Sequence, residues 1–204
     1  MNFNIEVFKK ICHVSESAGE KAVYSTDSSG ITGSALAVAW PTDYEQLKSL
    51  IRAAAREDIP VVARGGGTSL VGGAVPNRAI VVDLSRMNKI KKLFVGEKQV
   101  VVQSGVVLGK LNESIAEFNL EFPVNPRSHA VCTIGGMIAT NAGGLQPSRD
   151  RFMKEWVENV TFIDGASRVY TLDKNEMKRF VGSEGCCGII IEATLRLIAK
   201  RHYS

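Results

Sequence analysis

The sequence predicts an α+β fold of two subdomains, a small βαβ-type unit followed by a larger, mostly antiparallel sheet with flanking helices. Two observations support this prediction. Short apolar strands and a helical pattern alternate in the first part of the chain, whereas pairs of strands joined by short turns dominate the rest. We expect the first subdomain to cover residues 1–87 and the second to cover residues 88–204.

In the first subdomain each predicted element follows from a local pattern. In chain order, the patterns predict a helix over 2–18, a loop over 24–33, a strand over 36–40, a helix after 42, and strands over 59–63 and 79–84. Thr42 is expected to cap the second helix, with Glu45 three residues later completing a capping box. Its apolar face is formed by Leu47, Leu50, Ile51 and Ala54.

In the second subdomain hairpins are the main signal. The patterns predict strands over 90–95, 99–103, 157–163, 169–172 and 189–197, an extended segment over 122–126, a helix over 106–119, and a short helix between 173 and 180. The helix over 106–119 rests on an apolar stripe from Val107 to Phe118.

Composition excludes several classes of function. Of the 204 residues, 45% are hydrophobic and 23% charged, with a net charge of +4. Because no run of lysine and arginine reaches five residues, a nucleic-acid partner is not indicated. No stretch approaches the roughly 18 apolar residues of a membrane span. We therefore expect a cytoplasmic protein with no integral membrane segment.

The cysteines and histidines do not predict a metal site. They are Cys12, Cys132, Cys186, Cys187, His13, His129 and His202. No pair of cysteines has the Cys-x-x-Cys spacing, and two adjacent cysteines could not jointly complete an ordinary zinc site. We expect reduced and mostly buried thiols.

The most informative pattern, segment 1, covers residues 64–73 and follows an apolar strand. It begins with Arg64, Gly65, Gly66, Gly67, Thr68, Ser69 and Leu70, and ends in a second pair of glycines. Glycines without Cβ atoms expose backbone N–H groups and allow the left-handed turns that form an anion nest. A phosphate or pyrophosphate ligand is therefore predicted, and a tight turn without a ligand is the alternative.

Segment 1 fits neither standard nucleotide motif. Gly67 and Gly72 have the spacing of a P-loop, but Gly73 and Ala74 stand where lysine and a hydroxyl residue are required. The dinucleotide fingerprint fails because Leu70 occupies its third glycine position.

Two further glycine-bearing stretches follow. Segment 2 covers residues 132–144 and segment 3 covers residues 182–188. Small residues along segment 2 would let a flat ligand or another backbone lie directly on it, and a glycine-mediated helix contact is the alternative. Separate phosphate-friendly loops are most simply explained by one elongated ligand.

The three segments carry a family resemblance. Arg-Gly-Gly-Gly-Thr-Ser-Leu-x-Gly-Gly at 64–73, Thr-Ile-Gly-Gly-Met-Ile-Ala-Thr-Asn-Ala-Gly-Gly at 133–144 and Gly-Ser-Glu-Gly-x-x-Gly-Ile-Ile at 182–190 occur in order. They resemble the FAD-binding domain of the vanillyl-alcohol oxidase/p-cresol methylhydroxylase superfamily, and the wording is closest to the branch of FAD-linked D-lactate dehydrogenase and the glycolate oxidase subunit. The resemblance covers residues 24–198.

This resemblance implies an FAD lying extended between the two subdomains. Segment 1 would hold the pyrophosphate, segment 2 would run along the phosphates and flavin, and segment 3 would meet the adenosine and ribose. The implied cofactor residues are Arg64, Gly65, Gly66, Gly67, Thr68, Ser69, Leu70, Pro126, Thr133, Gly135, Gly136, Ala139, Thr140, Asn141, Gly143, Glu184, Gly188 and Ile190. Some members attach FAD through a histidine at the position of Thr68, so a non-covalent cofactor is expected here.

The chain also departs from the family pattern. Family members usually continue into a substrate-binding cap, and this chain stops at Ser204, so we expect the cap to be absent and turnover to need a cap domain or a partner subunit that supplies it. Phe152-Met153 stands where Tyr-Gly is usual, and Cys186-Cys187 replaces small residues. No residue is a convincing general base, since a lone loop histidine such as His129 is more often structural than catalytic.

Two functions therefore remain open. The first is the FAD-binding module of an oxidoreductase acting on a 2-hydroxyacid such as glycolate or D-lactate, with turnover depending on a cap or partner subunit. The second is a non-catalytic FAD-binding or electron-transfer module. The catalytic residues are unknown in either case, because the flavin itself would carry the redox chemistry.

Overall fold

A four-stranded sheet occupies the first part of the chain. The computed structural model describes residues 4–201. The strands of this sheet are His13–Ser15 (β1), Ser34–Trp40 (β2), Val61–Arg64 (β3) and Asn77–Asp83 (β4). Their spatial order is β1-β2-β4-β3, with β2 and β3 both parallel to β4 and β1 antiparallel to β2. The predicted βαβ-type unit is present, and β4 lies between the two strands that its helix connects.

The N-terminal helix prediction was wrong. Instead of one helix over 2–18, the chain forms a short helix Ile5–Lys9 (α1), then β1, then a helix Ala18–Tyr24 (α2). Residues 1–3 lie outside the described part. The apolar spacing is real, but pairing of β1 with β2 overrides it and buries Val14. Ser17 caps α2 by accepting a hydrogen bond from Glu20 N, so a helix begins where a break was predicted.

The helix between β2 and β3 begins one residue later than the predicted cap at Thr42 implies. It covers Tyr44–Arg56 (α3), and its cap is Asp43, whose Oδ1 accepts from Gln46 N at 2.9 Å. Gln46 Oε1 in turn accepts from Thr42 N at 2.9 Å. The capping pair is therefore Asp43 with Gln46, and the assignment to Thr42 and Glu45 was wrong. The apolar face from Leu47 to Ala54 is buried as predicted.

The second, larger sheet is antiparallel throughout. The remaining strands are Ile90–Phe94 (β5), Gln99–Gln103 (β6), Leu120–Glu121 (β7), Val157–Ile163 (β8), Val169–Asp173 (β9), Ile189–Arg196 (β10) and Ile198–Ala199 (β11). Five of them form the sheet in the order β5-β6-β10-β8-β9, while β7 pairs with β11. The two predicted hairpins, β5–β6 and β8–β9, are confirmed.

Short helices flank this sheet. They are Leu108–Ile115 (α4), Ile134–Ala139 (α5) and Pro147–Asp150 (α6), with 3₁₀ turns at Ala116–Phe118, Met153–Glu155 and Glu176–Arg179. The helix predicted over 106–119 is shorter than expected, since it ends in a 3₁₀ turn that Asn119 closes in the left-handed region (φ 55°). Phe118 is 44% exposed and does not continue the apolar stripe.

The two sheets meet through shared apolar contacts. Ile163 from the end of β8 and Ile191 from β10 belong to the same buried cluster as α3, β3 and β4. A separate and larger cluster fills the space between the second sheet, α4 and α5. The contact joins inner strands of the second sheet to α3 and β4 of the first, beside segments 1 and 3. The division at residue 87 stays a prediction.

The cysteines agree only in part with their prediction. All four cysteines are free, but Cys186 and Cys187 are exposed, so the expectation of mostly buried thiols was wrong for this pair.

None of the helices in residues 4–201 has the length and apolar character needed to span a bilayer. Among the same residues no group of three metal-ligating side chains occurs; His202 lies outside them. A cytoplasmic location stays a prediction.

Candidate functional site

A cleft of about 780 Å³ lies where the two sheets meet. Segments 1, 2 and 3 all line it, although they are far apart in the sequence. Segment 1 follows the carboxyl end of β3, segment 2 contains α5, and segment 3 precedes β10. The antiparallel sheet and the parallel strands thus bring three glycine-bearing stretches to one place. The prediction of one elongated ligand requires this arrangement.

The first two glycines of segment 1 allow direct contact with segment 2. A Cβ added at Gly65 would lie 2.1 Å from Thr133 Oγ1, and one added at Gly66 would lie 2.1 Å from Val131 O. Real Cβ atoms do not approach other atoms so closely, so no larger residue fits without movement of Thr133 or of Val131, the residue directly before segment 2. Gly67 has φ +65°, the left-handed region that glycine adopts without strain. The glycines therefore serve packing between segments as well as backbone exposure.

Six consecutive backbone donors of segment 1 have no acceptor among the described residues. Within the described chain, no acceptor is hydrogen-bonded to the N–H groups of residues 65–70. The donors that follow are occupied, since Ser69 Oγ accepts from Val71 N at 3.3 Å and from Gly73 N at 3.0 Å. A row of consecutive free N–H groups in a partly exposed loop is the arrangement that binds phosphate oxygens.

Arg64 fastens segment 1 to the loop before β2. Its Nη1 donates to Thr26 O at 2.6 Å, and its guanidinium carbon lies 5.1 Å from the centre of the Tyr24 ring. The Tyr24 hydroxyl donates to Asp83 Oδ2 at 2.5 Å. Burial, followed by this hydrogen bond, raises the pKa of Tyr24 to about 12. Arg64 therefore lines the cleft as a charged group whose position is fixed by neighbours.

Segment 2 enters the cleft as a capped helix. Thr133 caps α5, and its Oγ1 accepts from Gly136 N at 3.4 Å. Gly135 is required by a close contact, because a Cβ there would lie 2.6 Å from Ser104 Cβ. Thr140 Oγ1 donates to Gly136 O at 3.1 Å. The alternative of a glycine-mediated helix contact is thus correct for Gly135, while Thr133, Gly136, Ala139 and Thr140 also line the cleft.

Segment 3 also lines the cleft and is anchored to its neighbours. Glu184 N donates to Ala139 O at 2.8 Å, which ties this loop to the end of α5. The Glu184 carboxylate reaches segment 1, since Oε2 lies 3.2 Å from the position of a Cβ on Gly73. Gly188 has φ +144°, and a Cβ there would lie 2.4 Å from Ile163 O. Both residues therefore hold segment 3 in place across the cleft mouth.

Sixteen of the eighteen predicted cofactor residues line the cleft. They are Arg64, Gly65, Gly66, Gly67, Thr68, Ser69, Leu70, Pro126, Thr133, Gly135, Gly136, Ala139, Thr140, Glu184, Gly188 and Ile190. Asn141 and Gly143 are not among the lining residues. Asn141 Oδ1 accepts from Lys154 N at 3.1 Å, and Gly143 packs beneath Phe152, whose Cε1 would lie 2.9 Å from an added Cβ. Their cofactor contacts stay predictions.

His129 does not reach the cleft. Its side chain is exposed, it is not a lining residue, and its carbonyl accepts from Gly109 N at 3.0 Å. This placement agrees with a structural or solvated histidine.

Several lining residues were not predicted from the sequence. They are Ile51, Ala54, Ala55 and Ile59 from α3 and the turn after it, Asp164 and Gly165 from the β8–β9 turn, and Ser104 after β6. The α3 wall could not be predicted, because it depends on how the two sheets pack. Ser104 had a weak signal, since it follows a strand end directly. It is 2% exposed, and its Oγ has no hydrogen-bond partner among the described residues.

Comparison with known proteins decides the family. A family model described as an FAD binding domain matches residues 35–173, which is more than half of the chain. The chain belongs to this family of FAD-binding domains. The match covers segments 1 and 2 and the β8–β9 hairpin.

Curated relatives share this part of their sequences. The chain is 35% identical over 176 residues to D-2-hydroxyglutarate dehydrogenase of Xanthomonas citri pv. viticola, covering 81% of this chain and 37% of the relative. It is 32% identical over 170 residues to D-lactate dehydrogenase of Archaeoglobus fulgidus, covering 78% and 38%. It is 30% identical over 177 residues to glycolate oxidase subunit GlcD of Escherichia coli K12, covering 81% and 35%. The chain thus spans little more than a third of each relative.

A solved structure agrees on the fold. Alkyldihydroxyacetonephosphate synthase superimposes with a TM-score of 0.84 at 20% identity, covering 91% of this chain and 38% of that one. This similarity confirms the two-sheet α+β architecture, and at this identity it shows the fold alone.

The residues present fit an FAD. The cleft volume of about 780 Å³ lies within the range of roughly 300–1,000 Å³ typical of ligand pockets. Its walls combine free backbone donors in segment 1 with the buried, unpartnered hydroxyl of Ser104 and apolar residues from α3. A ligand with phosphates in its middle and flat rings at both ends matches such a lining.

Proposed function

We propose that this chain is the FAD-binding module of an oxidoreductase that acts on a 2-hydroxyacid such as glycolate or D-lactate. The observation that carries the proposal is the row of N–H groups from residue 65 to residue 70 that have no acceptor among the described residues and that line a cleft of about 780 Å³. Family membership identifies that dinucleotide as FAD. When bound, the flavin supplies the redox chemistry, and the protein's part is to hold and orient it.

The roles of the cleft residues follow from their chemistry. The N–H groups of segment 1 would donate to the pyrophosphate, and Thr68 would add a hydroxyl that has no partner among the described residues. Segment 2 would lie along the phosphates and flavin. Segment 3 would contact the adenosine and ribose through Glu184 and its neighbours. Thr68 cannot form the histidyl link of some family members, so the cofactor would be non-covalent.

The substrate class comes from the relatives' own names. These name D-2-hydroxyglutarate, D-lactate and glycolate, which are all 2-hydroxy acids. Turnover would require a cap domain or a partner subunit to complete the space over the flavin, and one relative is itself named a subunit. The proposal also includes a cytoplasmic location.

A non-catalytic FAD-binding or electron-transfer role is the second candidate. It is favoured by the placement of His129, which lies exposed and outside the cleft, so that it offers no general base there. Glu184 lies at the cleft mouth, where it contacts segment 1. The two candidates differ in whether the bound flavin accepts electrons from a hydroxy acid.

One experiment separates them. The purified protein is loaded with FAD, freed of oxygen and mixed with D-lactate, glycolate or D-2-hydroxyglutarate while the flavin absorbance is followed, with L-lactate as the matched control. Bleaching by one of the D-acids or glycolate supports the oxidoreductase. Bound flavin that no acid bleaches, with or without a co-purifying partner, supports the second candidate, and absence of FAD binding contradicts both.

A further inference from the structure

Two adjacent thiols lie in the cleft wall, and cofactor binding by itself gives them no role. Cys186 and Cys187 are both exposed, and both line the cleft in segment 3. The other two cysteines are placed differently, since Cys132 is buried and Cys12 is partly buried. The pair stands between Glu184 and Gly188, which are both proposed cofactor contacts. A covalent change at the pair would therefore act directly on the cleft.

The loop around the pair has room to change shape. Gly185, with φ +81°, precedes it, and Gly188, with φ +144°, follows it. An added Cβ at Gly185 would meet no atom within 4 Å, so this side of the loop is open. The residues before the pair are anchored, because Gly182 N donates to Ile138 O at 3.0 Å. A change of shape at the pair can therefore be accommodated at Gly185, between the anchored residues Gly182 and Gly188.

We propose that Cys186 and Cys187 form a reversible disulfide with each other, and that this disulfide weakens FAD binding in the cleft. The inference about the cofactor rests on the proposed function, whereas the disulfide itself does not. The oxidant belongs to the class of peroxides, and a thiol reductant restores the pair.

The chemistry balances with one molecule of hydrogen peroxide. One thiolate attacks a peroxide oxygen, the O–O bond breaks, and the departing hydroxide takes up a proton to leave as water, so the cysteine becomes a sulfenic acid. The neighbouring thiol then attacks the sulfenic sulfur. An S–S bond forms, the S–O bond breaks, and a second water leaves with the thiol's proton. Two sulfurs are oxidised and one peroxide is reduced.

The disulfide is expected to be easily reduced. Neighbouring Cα atoms across a trans peptide are about 3.8 Å apart, whereas unstrained disulfides have Cα atoms roughly 4.4–6.8 Å apart. The described chain contains no cis peptide bond, so the pair starts from the trans geometry. Strained disulfides have more oxidising potentials and are the labile, regulatory type. The closed ring would also fix the 186–187 peptide and displace the loop from the cofactor.

The other cysteines compete poorly for the oxidant. Burial raises the pKa of the Cys12 thiol to about 11, and burial also raises the pKa of the Cys132 thiol. A raised pKa leaves less of the reactive thiolate near neutral pH. Oxidation at limiting peroxide should therefore concentrate on the exposed pair.

The first measurement detects the bond without any cofactor. Trypsin cleaves after Arg179 and Arg196, so one peptide, residues 180–196, carries Cys186 and Cys187 and neither of the other cysteines. After treatment with limiting hydrogen peroxide and blocking of free thiols, mass spectrometry should find this peptide lighter by two hydrogens and unblocked. Recovery of the peptide with both thiols blocked would overturn the disulfide.

The second measurement tests its effect on FAD. Peroxide treatment of the wild type should weaken FAD binding by about tenfold or more, and dithiothreitol should restore it. The double variant Cys186→Ser/Cys187→Ser is the matched control, and its own FAD affinity should be the same before and after peroxide. An unchanged wild-type affinity despite a complete disulfide would overturn the effect on binding. If the reduced wild type binds no FAD, the proposed function fails along with that effect, while the peptide mass still decides the disulfide.

Discussion

At the scale of single residues, each of the three consecutive glycines of segment 1 is required for a different physical reason. Gly65 faces Thr133 of segment 2 and Gly66 faces Val131, directly before segment 2, each at a distance that admits no Cβ, and Gly67 adopts the left-handed conformation. The neighbour of Gly65 is a side-chain atom, Thr133 Oγ1, which can be displaced at the cost of its cap on α5. The neighbour of Gly66 is a backbone carbonyl, Val131 O, which cannot move without moving the backbone that leads into segment 2. A residue with a Cβ is therefore harder to accommodate at position 66 than at position 65.

Replacing Gly66 by alanine should destabilise the protein by about 1–3 kcal/mol, the usual cost of forcing extra atoms into a packed contact. Gly96, in the turn between β5 and β6, is the matched control because an added Cβ there meets no atom within 4 Å. Gly96→Ala should change the free energy of unfolding by no more than about 0.5 kcal/mol. Urea denaturation followed by circular dichroism measures both. Equal effects of the two substitutions would show that the contact with Val131 does not constrain the fold.

Tyr24 holds a buried carboxylate beside the site. Its hydroxyl donates to Asp83, which is 5% exposed, and its ring supports the Arg64 guanidinium. Since the pKa of Tyr24 is raised to about 12 in the folded protein, the neutral phenol is favoured there. Its contribution to stability is complete below the ordinary tyrosine pKa of about 10 and is lost as the pH rises through the raised value.

Tyr24→Phe should therefore lower the free energy of unfolding by about 1–3 kcal/mol at neutral pH, and the gap to the wild type should narrow above about pH 10. Urea denaturation at several pH values measures the gap. Tyr44→Phe serves as the control, because no hydrogen bond of the Tyr44 hydroxyl occurs within residues 4–201. A gap that stays constant or widens at high pH would contradict the assigned hydrogen bond.

At the scale of elements, α3 connects β2 to β3, and the loop that follows β3 is segment 1. Its first turn is fixed by Asp43 Oδ1, which accepts from Gln46 N at 2.9 Å. Thr42 precedes the helix and contacts Gln46 only through the side-chain amide oxygen. The same helix contributes Ile51, Ala54 and Ala55 to the cleft wall. Its stability is therefore linked to the shape of the cleft.

Asp43→Ala should cost about 1 kcal/mol of stability, the typical value for loss of an N-cap, and Thr42→Ala should cost clearly less. The comparison discriminates between the cap that the structure shows and the cap that the sequence pattern predicted. Thermal unfolding of both variants gives the order. A larger loss for Thr42→Ala would mean that the helix begins one residue earlier than the structure places it.

Patterns among neighbouring residues predicted most helices and strands. They failed where contacts between distant parts of the chain determine the secondary structure. The hairpins β5–β6 and β8–β9 follow from alternation and turn residues within a few positions. The strand β1 does not, because its three residues gain their conformation by pairing with β2 across a helix and a loop. The apolar spacing of residues 5–12 is equally compatible with a longer helix.

The same division holds for the site. Glycine-rich segments are visible in the sequence, so it could be predicted that segments 1, 2 and 3 lie along one site, and the structure places all three in the wall of one cleft. A glycine contact in segment 2 was foreseen as an alternative, but its partner Ser104 and the contribution of α3 to the cleft could not be predicted, since they depend on contacts distant in the sequence. Asn141 shows that a residue in a recognisable motif can lie outside the cleft wall. It sits in a motif that resembles a cofactor loop, yet its side chain caps the backbone at Lys154.

At the scale of the whole molecule, the site is the junction of two sheets. Ile163 and Ile191 join their cores, and segments from both lie on either side of the cleft. A ligand that spans the cleft would contact both sheets at once and add to the apolar contact between them. Ligand binding to the folded state alone stabilises it, by about 2.7 kcal/mol at a concentration one hundred times the dissociation constant. FAD should therefore raise the unfolding temperature of the protein.

The most direct test of the central claim is a titration of FAD against the purified protein, followed by quenching of flavin fluorescence. We expect saturable binding of one FAD per chain, release of unmodified FAD on heat denaturation, weaker binding by Gly66→Ala, and unchanged binding by Gly96→Ala. A wild-type protein that unfolds cooperatively but does not bind FAD would contradict the claim, and so would equal affinity of the two glycine variants.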